Sequence, residues 1–471
     1  MYCIQSGRWT VEQVSRVVDR VFRQESGRIL AGLIVATRDF TLAEDALQDA
    51  CIAALQQWPA AGVPRNPAAW LSGIARHKAI DRLRRDATLA RKQEQLGTLA
   101  ALLEQAGGDE QDGDVGHFPD KRLELLFTCC HPALPLEGRV ALTLRTLGGL
   151  STPEIAAAFL VPAQTMAQRL VRAQRKIRDA EIPYRVPPLG LLPERIDGVL
   201  AVLYLIFNEG YVATSGNGLI RQELCDEAIR LARVLAELLA AEPEVPDDPE
   251  ALGLLALMLL QHARRRARVD MDGDAVLLED QDRGLWDRAA IVEGVALLDR
   301  ALIMRRFGPY QIQAAIAALH DEAPVATGTD WPQIAGLYGT LARLLPSPVV
   351  ALNRAVAVAM AEGPERGLAL LDRAELAVAL DGYQHFHAAR ADLLRRIGRR
   401  DEASTAYVRA LELCQNATER RFLQGRLVDL AAPPDLEAPR GYPTAGTRRM
   451  NPVVPLVARR PYSAPLPQRP G

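Results

Sequence analysis

The stretch LSTPEIAAAFLVPAQTMAQRLVRAQRKIRDA, Leu150 to Ala180, carries two apolar stripes at helical spacing with a proline between them. Ser151 or Thr152 can cap a first helix, with Pro153 in its first turn and Glu154 close to its positive end. Ile155, Ala156 and Phe159 give that helix one apolar face. Pro162 lacks the N–H that a helix interior needs and suits the first turn of a new helix. Beyond it, Met166, Leu170, Ala173 and Ile177 line one side at helical spacing. Gln164, Thr165, Gln168, Arg169, Arg172, Arg175 and Lys176 occupy the other. The pattern predicts two short helices, a tight break, and a basic outer face on the second.

Two readings fit. In a helix-turn-helix, the first helix crosses the phosphate backbone and the second enters the major groove. Arg pairs with guanine edges and Gln with adenine edges. Alternatively, the basic face belongs to an ordinary helical hairpin and is merely solvated. The turn holds Leu160 and Val161 where a glycine is usual, so this stretch by itself does not choose.

The rest of the chain narrows the setting. At 471 residues it is too long for one ordinary core, which predicts roughly two to four domains. Ala, Leu and Arg are abundant and aromatics make up 5%, a balance that favours helices over sheets. The net charge of −2 does not announce a nucleic-acid partner, so local clusters must. Cys3, Cys51, Cys129, Cys130, Cys225 and Cys414 are dispersed apart from one adjacent pair, unlike a disulfide framework. No apolar core follows a basic start, and LALMLL near residue 254 is too short to span a bilayer. These features predict an all-α cytoplasmic protein.

Composition divides the chain into zones. Residues 9–90 read as helices with a basic end. Residues 91–120 form an acidic, glycine-bearing linker, GGDEQDGDVGHFPD at its tail. Residues 121–183 hold the opening stretch. After the proline-bounded IPYRVPPLGLLP, residues 190–430 read as one long helical region, and the Pro/Arg-rich 431–471 as a disordered tail. Within the helical region, FHAARADLLRRIGRRDEASTAYVRAL places Ala391, Leu394, Gly398, Ala403, Tyr407 and Ala410 where a tetratricopeptide repeat wants small or apolar residues. Val356, Gly363 and Leu368 match them upstream at close to the ~34-residue period. Paired helices that stack on neighbours need such positions. A generic helical bundle is the plainer alternative.

A second basic cluster, NPAAWLSGIARHKAIDRLRRD, bears on the opening choice. Trp70, Leu71, Ile74, Ile80 and Leu83 form its apolar stripe, and Arg76, His77, Lys78, Arg82, Arg84 and Arg85 lie largely off it. Ahead of it, DFTLAEDALQDACIAALQQW offers Ala43, Ala46, Leu47, Ala50, Ile52 and Leu55 for packing. Asp39, Glu44, Asp45, Gln48 and Asp49 make its other side acidic and polar. An acidic face suits a basic protein surface; a basic helix suits phosphate and unstacked bases.

At these residues the sequence resembles the bacterial sigma-70 class of sigma factors, in the small extracytoplasmic-function type. DFTLAEDALQDACIAALQQW resembles the family's core-polymerase-binding helix, WLSGIARHKAIDRLRR its segment for the minus-ten promoter element, and LSTPEIAAAFLVPAQTMAQRLVRAQRKI its reader of the minus-thirty-five element. FTCCHPAL, LYLIFNEGYVATSG, LCDEAIRLARVL, EDQDRGLWD, GPYQIQAAIAALH, TDWPQIAGLY and LNRAVAVA resemble a subgroup with a tetratricopeptide-like C-terminal extension. The resemblance implies two small helical sigma domains followed by a helical regulatory domain, with core RNA polymerase and promoter DNA as partners. Asp45, Gln48 and Asp49 would face the polymerase. Arg76, His77, Lys78, Arg82, Arg84 and Arg85 would hold the downstream element as it melts. On the upstream element, Gln168 and Arg172 would read base edges, Arg169 and Arg175 would take phosphate, and Gln164, Thr165 and Lys176 would complete the interface. The extension would act as a built-in regulator touching the sigma domains, through Phe207, Asn208, Glu209, Gly210 and Tyr211 with Gln281, Asp282 and Arg283. Helix-end packing is the plainer reading of both sets.

Other chemistry finds no pattern. Cys129, Cys130 and His131 lack the second ligand pair of a structural zinc site, so buried thiols are expected. MDGDAVLLEDQD lacks the calcium loop's terminal Glu. There is no phosphate-cradling glycine loop with lysine. The expectation is a non-enzymatic protein without metal or cofactor. The alternatives to a sigma factor are a stand-alone helix-turn-helix regulator with a repeat-type sensor, and a repeat scaffold whose basic faces are solvated.

Overall fold

A computed structural model describes residues 9–86, 120–159, 161–211, 221–241, 248–271 and 274–431. It is all-α: among the described residues the only β feature is an isolated bridge between Val269 and Ala275. No described helix is long and apolar enough to cross a membrane. The chain divides into two compact units, Met1–Val202 and Leu203–Gly471.

Unit 1 opens with α1, Val11–Thr37, whose start is fixed by a reciprocal pair: Gln13 N donates to Thr10 Oγ1 at 3.2 Å and Thr10 N to Gln13 Oε1 at 2.9 Å. Satisfying otherwise orphaned amides in this way sets where a helix begins. Asp39 caps α2, Phe40–Ala61, at Leu42 N. Asn66 caps α3, Pro67–Asp86, at Ala69 N. These three pack through small residues: Ala43, Ala46, Ala50 and Ala54 of α2 and Ala75 and Ala79 of α3 are buried, with Leu71 and Leu83. Trp58 closes the end, edge-on to Trp70 with ring centroids 5.3 Å apart.

The second group comprises α4 (Arg122–Cys129), α5 (Leu136–Thr146), α6 (Thr152–Ala158) and α7 (Ala163–Asp179). The zones expected as separate domains pack on each other here. A Cβ on Gly27 of α1 would lie 2.6 Å from the Leu147 carbonyl oxygen, so only glycine permits the approach. Arg145 of α5 donates to both carboxylate oxygens of Glu44 on α2, at 2.7 and 3.3 Å. The Phe40 and Tyr184 rings meet at 6.2 Å. The division between the units falls inside α8, Leu192–Tyr211, so unit 1 reaches past the proline-bounded junction. Arg195 there donates to the Phe127 carbonyl of α4.

Unit 2 is built around α10, Pro249–Ala263, which is buried on nearly every side. A helix apolar all round is one that is enclosed all round; this holds the LALMLL run. Its neighbours are α9 (Gln222–Ala241), α11 (Arg288–Ile303) and α12 (Pro309–Glu322). Glu250 of α10 accepts from Tyr310 N, Gln311 N and Gln311 Nε2 at 2.9–3.1 Å, capping α12 from another element; burial raises its pKa to about 6. After α13, Trp331–Leu344, come helical hairpins: α14 (Pro348–Glu362) and α15 (Pro364–Leu371), then, after α16 (Ala374–Leu380), α17 (Gln384–Arg396) and α18 (Arg400–Leu413). Each hairpin turns at a left-handed glycine, Gly363 at φ 108° and Gly398 at φ 80°, a conformation that disfavours other residues. Val356, Leu368, Ala391, Leu394, Ala403, Tyr407 and Ala410 are buried in one cluster. A final helix, α19, spans Ala417–Ala431.

Candidate nucleic-acid interface

The α6–α7 pair is built from local signals. Of the two candidate caps, Ser151 is used: Glu154 N donates to Ser151 Oγ at 3.3 Å and Ser151 N to Glu154 Oε2 at 2.7 Å. Pro162 stands at the N-cap of α7, one residue ahead of its expected place in the first turn. The turn is held by Val161 N donating to the Ala156 carbonyl at 3.0 Å; Leu160 lies outside the described residues. Met166, Leu170, Ala173 and Ile177 are all buried.

That burial turns the other side outward. Gln164, Gln168, Arg172, Arg175 and Lys176 are exposed, while Thr165 and Arg169 are half-buried on the flank. Arg172 Nη2 donates to Gln168 Oε1 at 3.4 Å, and Arg175 Nε to Asp179 Oδ2 at 3.2 Å. In solvent such contacts are weak, about 0–1 kcal/mol. Val171, assigned to neither face of the stretch above, is 62% exposed among these side chains. An apolar residue outside the buried stripe was the signal available.

On α3, His77, Lys78, Arg82 and Arg84 are exposed; the Arg85 side chain lies outside the described residues. Arg76 differs from expectation. It is half-buried and its Nε has no hydrogen-bond partner, and burial lowers its pKa. Its place on the helix, next to buried Ala75, carries the stem inward. The His77 ring is anchored, Nδ1 donating to the Gly73 carbonyl at 2.8 Å.

On α2, Gln48 is exposed and Asp45 and Asp49 are half-buried. Asp45 pairs with Arg82 at 2.9 Å, so a residue expected to face polymerase holds one expected to face DNA. Ile52 and Leu55 were expected to pack inside; they are 45% and 37% exposed. They follow Asp45 and Gln48 at helical spacing, and Ala46, Leu47, Ala50, Ala54 and Trp58 already fill the inner face.

The thiols of Cys129 and Cys130 are buried, 3.5 Å from Thr146 Oγ1 and Thr143 Oγ1. Burial pushes Cys130 up to about 11, holding it protonated. Among the described residues no group of three or more His, Cys, Asp or Glu is placed to hold a metal ion.

The residues expected to link the extension to the sigma domains are engaged within unit 2. Phe207 and Asn208 are buried, and Glu209 pairs with Arg221 at 3.0 Å. A Cβ on Gly210 would lie 2.7 Å from Cys225 N. The Tyr211 ring lies under Arg268, whose Nη1 donates to the Tyr211 carbonyl at 2.6 Å. Gln281 donates to the Val276 carbonyl, Asp282 caps Gly284 N, and Arg283 donates to the His320 and Ala323 carbonyls while stacking on Trp286. Beside them Asp321 is 0% exposed, with neither carboxylate oxygen hydrogen-bonded and Arg264 Nε 3.5 Å away.

An acidic helix, a basic helix and a helix-turn-helix, in that order within one helical unit, define a DNA-binding protein that also docks on another protein. Comparison makes the class specific. Residues 22–88 match sigma-70 region 2 and residues 124–177 match sigma-70, region 4, while 195–302 match a family of unknown function, DUF6596. An uncharacterised protein of Rhizobium meliloti (strain 1021) is 47% identical over 407 residues, covering 86% of this chain and 94% of that protein. No solved structure matches the chain. The chain belongs to the sigma-70 family: it is a sigma factor of the extracytoplasmic-function type with a helical C-terminal extension, and it directs transcription initiation with core RNA polymerase at promoter DNA.

Proposed function

We propose that the three helices divide the work of initiation. The outer face of α2 docks on core polymerase through Asp45, Gln48 and Asp49, with Ile52 and Leu55 as its apolar anchor. Charge steers such an encounter and apolar burial holds it. On α3, His77, Lys78, Arg82, Arg84 and Arg85 hold the downstream element as it melts, and Arg76 backs them from its half-buried position. On α7, Gln168 and Arg172 read base edges of the upstream element, Arg175 takes phosphate at its exposed end, Arg169 takes it from the flank, and Gln164, Thr165 and Lys176 complete the surface. The observation that carries this reading is the division of α7 into a buried apolar stripe and an outer side that is polar and basic except for Val171. The site of action is the cytoplasm, where core polymerase and promoter meet.

The extension is read as a fused, tetratricopeptide-like regulator. Its repeated hairpins, with glycine turns at Gly363 and Gly398, support that reading. The test is run-off transcription by the full chain with core polymerase on a promoter library. A promoter-specific transcript that is lost with Gln168→Ala and Arg172→Ala supports the assignment. Selective promoter binding without core, and no transcript with it, would favour the stand-alone regulator. Loosening the extension with Arg268→Ala reads its sign: more transcript marks an inhibitor, less an activator or scaffold.

A further inference from the structure

The most exposed large apolar side chain of α7 is Val171, at 62%. At about 100° per residue it lies within about 50° of the point opposite the buried stripe of Met166, Leu170, Ala173 and Ile177. It therefore shares one outward row with Gln164, Gln168 and Arg175, and Arg172 follows it directly. A β-branched residue forms helix less readily than Ala, and an apolar side chain in water gains nothing from burial. The row around it supplies hydrogen-bonding groups: amides for adenine edges and guanidiniums for guanine edges. What such a row lacks is an apolar surface, and thymine is the base whose major-groove edge presents a methyl group.

We infer that Val171 is a specificity-determining residue, its methyl groups meeting the C5-methyl of one thymine in the upstream promoter element. The inference rests on the reading of α7 as the recognition helix. It assigns apolar discrimination to Val171 beside the hydrogen-bonding discrimination of Gln168 and Arg172.

The test removes the two partners separately. Full-length protein with core RNA polymerase selects a promoter from a random library, and each thymine of the upstream element is then replaced by deoxyuridine, which deletes only the methyl. Removing one methyl from a water-excluded contact changes affinity roughly fourfold. The wild type is expected to lose about that much at one thymine. Val171→Ala is expected to bind thymine and uracil alike at that position and to keep its preferences elsewhere. Because Val171 is exposed and Ala is a good helix former, the variant tests contact and not folding. Unchanged discrimination by Val171→Ala, or no methyl-sensitive position for the wild type, overturns the inference while leaving the recognition helix intact. Weaker core binding with unchanged thymine preference also overturns it, in favour of a protein contact. A wild type with no preference at the upstream element sinks the recognition-helix reading itself.

Discussion

On α7, Arg172 and Arg175 stand in solvent, and they donate to Gln168 and Asp179 of their own helix. In unit 2, Arg264 and Arg268 are 3% and 9% exposed. Arg268 is held by the Tyr211 carbonyl and ring, and Arg264 faces Asp321. The same side chain is left in solvent in one place and joins helices in the other. What differs is the neighbourhood. Around Arg268 a carbonyl and an aromatic face replace water; along α7 nothing does, so those guanidiniums remain available.

This contrast is broken hardest by Arg268→Ala. Removing a buried guanidinium leaves the Tyr211 carbonyl without that donor and a void beneath it, and we expect a loss of about 2–4 kcal/mol in chemical denaturation of the full chain. A change under about 0.5 kcal/mol would show that the buried arginine holds nothing together.

Next in size is a pH effect at His320 and Asp321. Burial raises Asp321 from 3.8 to about 7, and burial with Arg264 and Arg283 nearby lowers His320 from 6.5 to about 3. Folded Asp321 keeps a proton that the unfolded chain loses, so its contribution to stability falls as pH rises from about 4 to 7. Folded His320 refuses a proton that the unfolded chain takes up, so its contribution rises with pH between about 3 and 6.5. The two slopes oppose each other over most of that window. Asp321→Asn should unmask the rising slope and His320→Asn the falling one, read as denaturation midpoints from pH 4 to 8. Parallel profiles for both variants and wild type would contradict the assignment.

On the exposed side, Gln168→Ala and Arg172→Ala should each cost about 1–3 kcal/mol of promoter discrimination at one base position. Arg175→Ala should weaken binding evenly across sequences and reduce the salt slope by about 1, with stability unchanged within about 0.5 kcal/mol. Base-specific loss on Arg175→Ala would move it into the reading set. The smallest effect is expected for Arg145→Glu. Its partly exposed pair with Glu44 is worth under about 1 kcal/mol, so thermal stability should barely move. Double substitution with Glu44→Arg should restore whatever is lost, and a failure to do so would deny the pair its role.

How much of this was legible depends on distance along the chain. The buried stripe of α7 follows from a period of 3.6 residues, and Met166, Leu170, Ala173 and Ile177 fall where that period puts them. Gly363 and Gly398 were legible as small positions one repeat period apart, and the structure adds that each is a left-handed turn. Ile52 and Leu55 were misplaced because α2 offers more apolar residues than its inner face can take, and their phase follows that of Asp45 and Gln48. The Glu44–Arg145 pair joins residues 101 positions apart, and no local pattern encodes it. Arg264 and Arg268 look in sequence like any solvated basic run, because burial is conferred by helices distant in the chain.

The packing of the two sigma regions against each other has a consequence of scale. Elements named for minus ten and minus thirty-five lie about 25 base pairs apart, ~85 Å along the duplex at 3.4 Å per base pair. A compact chain of about 200 residues has a radius of gyration near 16 Å. On the proposed reading, unit 1 as folded here can touch one promoter element at a time. Reaching both requires the Gly27–Leu147 approach, the Phe40–Tyr184 ring contact and the Glu44–Arg145 pair to come apart. Two of those residues, Phe40 and Glu44, belong to α2, the helix that would dock on polymerase. On that reading, the helix proposed to dock on polymerase is also one that fastens the two sigma regions together.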